Sequence, residues 1–170
     1  IFIKEPVLDS LCKKRYPLGR QSTRALREAT FGTREVLDMA ILVSGGAGYI
    51  GSHTCIELLN AGYDVVVADN YYNASPVVLD RVKQITGKDF RFYQANMTKH
   101  EDVEKIFAEC PDITAVIQFA AYKAVGESVS KPIEYYYNNL NCTLVILDVM
   151  RRHNCRNFVF SSSATVYGDP

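Results

Sequence analysis

The 170-residue chain carries no net charge, its nineteen Lys and Arg residues being balanced by nineteen Asp and Glu. Without a basic excess it has no general attraction for nucleic acid or for an anionic membrane surface, and neither is expected as a partner. Its five cysteines, Cys12, Cys55, Cys110, Cys142 and Cys155, contain no C-x-x-C pair. An odd count without that pairing disfavours a disulfide framework and a zinc knuckle, leaving buried free thiols in a reducing cytoplasm as the expectation. The three histidines, His53, His100 and His153, lack metal-ligand spacing, so no metal is expected. Apolar runs such as Val65–Ala68 are far too short to span a bilayer, and the basic start lacks the apolar centre of a secretory signal. Internal repeats and low-complexity segments are also missing. What is present suits one ordinary globular domain, with 48% hydrophobic residues to build a core.

Charge is nevertheless uneven along the chain. Residues 1–38 hold eight Lys or Arg against five Asp or Glu, so residues 39–170 are mildly acidic. The first segment shows no sustained period, and Pro6, Pro17, Gly19 and Gly32 interrupt it; a short helix over Ser22–Ala29 is the only element it suggests. It reads either as a basic targeting or partner-binding arm or as a disordered or non-native extension, with Met39-Ala40 standing where a natural start would sit. The second reading is preferred, which puts the working domain at 39–170.

That domain opens on Ile41–Asn70, which reads as strand, glycine turn, helix and second strand. Gly45, Gly48 and Gly51 form G-x-x-G-x-x-G directly behind the apolar run Ile41-Leu42-Val43. A side chain at Gly45 would block the tight turn, one at Gly48 would hold a pyrophosphate off the backbone, and one at Gly51 would push the helix from the sheet. The helix start offers unpaired N–H groups and a positive dipole end to the phosphates. Asp69 closes the second strand 18 residues after Gly51, close to the spacing at which a carboxylate reaches an adenosine ribose. Such a carboxylate binds a 2′,3′-diol and repels a 2′-phosphate, which favours NAD over NADP.

Beyond this unit the pattern keeps alternating. Tyr71–Ala74 is a polar, aromatic loop, and Ser75-Pro76 has the form of an N-cap with Pro at N1. A helix follows with Val78, Leu79, Val82 and Ile85 on one stripe, stopped by Gly87. Phe90–Ala95 is the third strand, His100–Glu109 a helix with Val103, Ile106 and Phe107 inward, and Ala115–Ala120 a buried strand. Pro132–His153 is a long helix with Leu144, Leu147 and Val149 turned to the sheet, and Asn157–Ser161 is the fifth strand. The fold class is α/β, a Rossmann-type doubly wound parallel sheet of order 3-2-1-4-5. Functional groups should gather at the carboxyl ends of its strands, at Ser44–Gly51, Asp69-Asn70, Asn96-Met97, Phe119–Lys123 and Ser161–Ser163.

GGAGYIGSHT, the Asp69-Asn70 pair, FAAYKAVGES, the YYYNN helix and the closing FSSSATVYGDP together resemble the UDP-glucose 4-epimerases, a family of extended short-chain dehydrogenases/reductases. The likeness runs from about Met39 to Pro170. It implies NAD as cofactor, a UDP-sugar as substrate and a homodimer for the full-length protein. It implies that backbone at Tyr49 and Ile50 meets the pyrophosphate, that Asp69 takes the adenosine ribose, and that Asn70, Tyr71, Tyr72, Asn73 and Ala74 lie beside it. Asn96 and Met97 would border the adenine, the Asn96 amide accepting from the adenine amine where the family commonly has Asp. Phe119, Ala120 and Ala121 would pass under the dinucleotide, Lys123 would bond the nicotinamide ribose, and Asn138 would lie at the nicotinamide end. Ser161 belongs to the strand end near the sugar, and Ser163 matches the serine that bonds the reacting 4-hydroxyl. In the family's mechanism a Tyr phenolate takes that hydroxyl proton, C4 gives a hydride to NAD, and the 4-keto sugar turns over before the hydride returns. Ala121 and Tyr122 stand where Gly and Leu are frequent, narrowing the floor.

One family element is missing from these residues: no Tyr is followed four residues later by Lys. A positioned base is worth roughly 10²- to 10⁴-fold, so the 170 residues alone are expected to be inactive. Simpler roles also fit single positions: Lys123 as a solvated lysine, Ser161–Ser163 as helix-capping hydroxyls, Cys55 and Cys142 as small apolar filler. Tyr135–Tyr137, consecutive on a helix, must point three ways, so at most two are buried.

Overall fold

The computed structural model describes residues 39–163 and Gly168; the expectations for residues 1–38, the short helix over Ser22–Ala29 included, lie outside the described residues. Among the described residues, five strands form one parallel sheet: β1 (Ala40–Ser44), β2 (Asp64–Asp69), β3 (Arg91–Gln94), β4 (Ile113–Gln118) and β5 (Asn157–Phe160). Their order is β3-β2-β1-β4-β5, as the alternation of strands and helices predicts. Leu42 of β1 sits in register with Val66 of β2 and Val116 of β4, and all three are fully buried. The unbroken Val65-Val66-Val67 run of β2 is what a strand covered on both faces requires.

The described residues form five helices: α1 (Tyr49–Asn60), α2 (Val77–Thr86), α3 (His100–Glu109), α4 (Val125–Ser130) and α5 (Pro132–Arg152). α1 rests on β1 and β2 and packs against α2, while α3 packs against α5. The main core joins Leu42, Val66 and Val116 to Val103, Ile106 and Phe107 of α3 and to Val145, Ile146 and Val149 of α5. Burying each such side chain is worth about 1.5–3 kcal/mol. At the amino ends of the strands, the Arg91 guanidinium donates to Asp112 at 2.9 Å and to Asp64 at 2.8 Å, tying the start of β3 to the starts of β2 and β4.

Three expectations need correction, and one element was not anticipated. Leu144 and Leu147 face outward, and the inward stripe of α5 is Cys142, Val145, Ile146, Val149 and Met150. That set follows i, i+3, i+4, i+7, i+8, whereas Leu140, Leu144 and Leu147 form a second apolar stripe that sequence periodicity cannot tell from the first. Ile85 is exposed near the end of α2, only Leu79 and Val82 of its predicted stripe being fully buried. Pro76 rather than Ser75 occupies the position before α2, the Ser75 carbonyl accepting from the Val78 N–H at 3.0 Å. The short helix α4, whose residues are all at least partly exposed, had no periodic signal to reveal it. Gly87 ends α2 in the left-handed region at φ +64°, as expected of a glycine stop.

Candidate functional site

β1 delivers the chain to the centre of the sheet at Ser44, and the turn into α1 is tight enough that side chains are excluded by backbone. Gly45 has φ +75°, its N–H donates to the Ala68 carbonyl at 2.8 Å, and a Cβ there would lie 2.6 Å from the Ala120 nitrogen. At Gly51 a Cβ would stand 2.2 Å from the Gly45 carbonyl oxygen, so a side chain would drive the helix against the turn. Gly46, outside the motif's spacing, is also constrained, because a Cβ there would meet Val67 Cγ1 at 2.7 Å. Gly48 precedes α1, which has no side-chain cap and no acidic residue in its first turn. Gly48, Tyr49 and Ile50 of that turn line the cleft with no acidic side chain of the helix itself beside them, an arrangement that can receive an anion.

Asp69, at the end of β2, is buried and held against the turn. Its Oδ2 accepts from the Ala47 N–H at 3.1 Å, and its Oδ1 from the Tyr71 N–H at 2.8 Å. Each oxygen keeps a further lone pair for a ligand hydroxyl. Tyr71 adopts φ +58°, its ring lies 5.2 Å from that of Phe92, and its phenol is pushed up by burial and by the Asp69 charge. The Asn70 side-chain oxygen accepts from the Tyr72 N–H at 3.0 Å, completing the turn that follows.

Across the cleft, the segment after β4 is held by two asparagine and glutamine side chains. Gln118 donates to the Ala120 carbonyl at 2.9 Å. Asn139 of α5 accepts from the Tyr122 N–H at 2.8 Å and donates to the Tyr122 carbonyl at 3.0 Å, and Asn138 donates to Asn139 at 3.0 Å. The rings of Tyr72 and Tyr122 meet 4.6 Å apart, linking the two sides of the cleft. Cys142 closes the bottom, its thiol pushed up to about 11 by burial, so it is inert filler.

Between these walls lies a cavity of about 300 Å³. It gathers Gly45, Gly48, Tyr49, Ile50 and Gly51 from the turn and Asp69, Asn70, Tyr72 and Asn73 from the end of β2. Asn96 and Met97 follow β3, and Phe119, Ala120, Ala121, Lys123 and Asn138 complete the far wall. Tyr71, Ala74, Ser161 and Ser163 do not line it. Ser161 donates its N–H to the Gln118 carbonyl at 3.2 Å, and Ser163 is exposed beyond β5. The oxygen expected of Asn96 as an acceptor is already engaged by Thr98, from its N–H at 3.0 Å and its hydroxyl at 2.8 Å. Sequence reasoning missed Asn139, whose only signal was its place beside Asn138, and the contact made by Tyr122. No group of metal-binding side chains occurs among the described residues.

Residues 41–170 match the NAD dependent epimerase/dehydratase family. The chain belongs to that family. Among curated relatives, the UDP-glucose 4-epimerase of Bacillus subtilis is 58% identical over 132 residues and that of Haemophilus influenzae 61% over 132 residues. Each alignment covers 78% of this chain and 39% of the relative, so the chain spans about two fifths of their length. A solved UDP-glucose 4-epimerase from Bifidobacterium longum, in complex with NAD+ and UDP, superposes with a TM-score of 0.74 at 58% identity, covering 78% of this chain and 39% of that one. As the family's NAD dependence requires, this member has a backbone cradle where a phosphate must approach and a buried carboxylate with spare acceptors one strand away. The residues present fit NAD.

Proposed function

We propose that these residues form the NAD-binding part of a UDP-glucose 4-epimerase, an isomerase that interconverts UDP-galactose and UDP-glucose through a 4-keto sugar. The reading is carried by the glycine turn facing the buried Asp69 carboxylate, in a chain about 60% identical to enzymes of that name. Bound NAD supplies a hydride acceptor that also returns the hydride. The protein's residues hold and orient. The first turn of α1 receives the pyrophosphate at Tyr49 and Ile50, and Asp69 accepts from the ribose diol while repelling a 2′-phosphate. Asn70–Ala74 flank that ribose, Asn96 and Met97 border the base, and Phe119–Ala121 lie beneath the dinucleotide. Lys123 bonds the nicotinamide ribose, Asn138 stands at the nicotinamide end, and Ser161 and Ser163 serve the sugar, Ser163 at the reacting hydroxyl.

No Tyr-x-x-x-Lys pair occurs in the 170 residues, so none of them is assigned as general base, and by themselves they hold NAD without turnover. The whole protein acts in the cytoplasm as a homodimer. Support for the dimer is the exposed apolar row of α5, Tyr136, Leu140, Leu144 and Leu147. No helix among the described residues is long and apolar enough to cross a membrane. The test supplies UDP-galactose and follows UDP-glucose, using the 170-residue chain and its full-length coding product. Turnover by the longer product alone is the expected result; its failure to convert UDP-galactose would refute the substrate assignment, and turnover by the short chain would refute the assignment of the base elsewhere.

A further inference from the structure

Resting on the NAD reading, we infer that Tyr72 and Tyr122 form a gate across the mouth of the cleft, which must part for a dinucleotide to enter or leave. Their rings lie 4.6 Å apart and 32° from parallel, within the range in which aromatic rings attract one another. Both line the cavity, yet they come from opposite walls: Tyr72 follows β2, three residues after Asp69, and Tyr122 follows β4, beside Lys123. With the pyrophosphate on the α1 turn, one ribose on Asp69 and the other on Lys123, the dinucleotide runs from wall to wall. The ring pair spans the same gap.

The two halves of the gate differ in how firmly they are held. Tyr122 is the post. Asn139 engages both its N–H and its carbonyl, its ring meets that of Tyr135 edge-on at 5.3 Å, and the buried Tyr135 donates its hydroxyl to Glu127 at 2.7 Å. Tyr72 is the leaf. It is 58% exposed, in the stretch 70–75 that is neither helix nor strand, and its N–H rests on the Asn70 side chain at 3.0 Å. Just before it, Tyr71 is anchored by its N–H on Asp69 and by its ring on Phe92, so Tyr72 swings from a fixed point.

The cavity of about 300 Å³ exists with the rings in contact, so the pair can close again over a bound dinucleotide. A contact that is made in both the free and the occupied site, and broken only in between, raises the barrier in both directions. It slows entry and exit alike. A ring that merely touched the ligand would slow exit alone.

Stopped-flow fluorescence of NADH tests this, in a chain that has no Trp to interfere. Mixing gives the association rate constant, and displacement by excess NAD gives the dissociation rate constant. Tyr72→Ala, a change at an exposed loop position, should raise both by about fivefold, the scale of one aromatic pair. Tyr72→Phe keeps the ring and should bring both back to the values of the unaltered chain. A rise in one rate constant alone, a rise in neither, or a Phe variant as fast as the Ala variant overturns the gate while leaving the NAD reading intact. Failure of NADH to bind the unaltered chain overturns both.

Discussion

The two walls of the cleft are built on different principles. The wall from β1 and β2 is fixed by backbone: three glycine positions at which a Cβ would lie within 3 Å of other atoms, and one carboxylate that clasps two N–H groups. The wall from β4 and β5 is fixed by side-chain clamps, chiefly Asn139 of α5 on Tyr122 and Gln118 of β4 on Ala120, and its last serines lie outside the cavity. A wall made of close backbone approach tolerates almost no substitution. One made of side-chain clamps can be loosened by degrees.

The sharpest break in that comparison comes at the glycine turn. Gly51→Ala places a carbon in contact with a carbonyl that cannot retreat, and should lower unfolding free energy by about 3 kcal/mol or more, measured by urea denaturation. A loss below about 1 kcal/mol would mean that the turn relaxes and the wall is not rigid. Asp69→Asn comes next. The amide can satisfy one of the Ala47 and Tyr71 N–H groups but opposes the other with its own NH₂, at a cost of about 1–3 kcal/mol, and the charge that repels a 2′-phosphate is gone. The NAD-to-NADP affinity ratio should fall in parallel, which titration with the two dinucleotides will show.

On the opposite wall, Asn139→Leu leaves the Tyr122 N–H and carbonyl without their clamp and should cost about 1–2 kcal/mol, since solvent can reach this loop. It should weaken NAD binding while leaving the NAD-to-NADP ratio unchanged, because that ratio belongs to the other wall. A changed ratio would show that the walls are not independent.

The smallest effect is expected away from the cleft. The hydrogen bond from Arg91 holds the Asp112 carboxyl below its ordinary value of 3.8. A depressed folded-state value means stability that is fully present above the ordinary value and lost as pH falls through the depressed one. Asp112→Asn should therefore flatten the acid limb of the stability curve below about pH 4, with no change in dinucleotide binding at neutral pH. Altered binding would tie the amino ends of the strands to the cleft.

The same contrast explains what could be read from sequence. The β1-β2 wall was legible because its constraints are local: glycines at fixed spacing, an apolar strand on each side, and an acid at the strand end. Strand order followed from alternation alone. The role of Asn139 was hidden, since it reaches a backbone 17 residues away and nothing in spacing marks it. The faces of α5 were misjudged for a related reason: Leu144 and Leu147 lie on one of two apolar stripes, and only the packing of α3 decides which is inside. Asn96 lines the cavity, and the claim of Thr98 on its oxygen appears only in three dimensions.

Direct titration of the chain with NAD and with NADP bears most closely on the glycine turn and Asp69 acting together. Saturable binding of NAD, with NADP weaker by about tenfold or more from one unfavourable charge contact, is the result expected. Equal affinity for the two, or no binding of either, would contradict the assignment of this cleft.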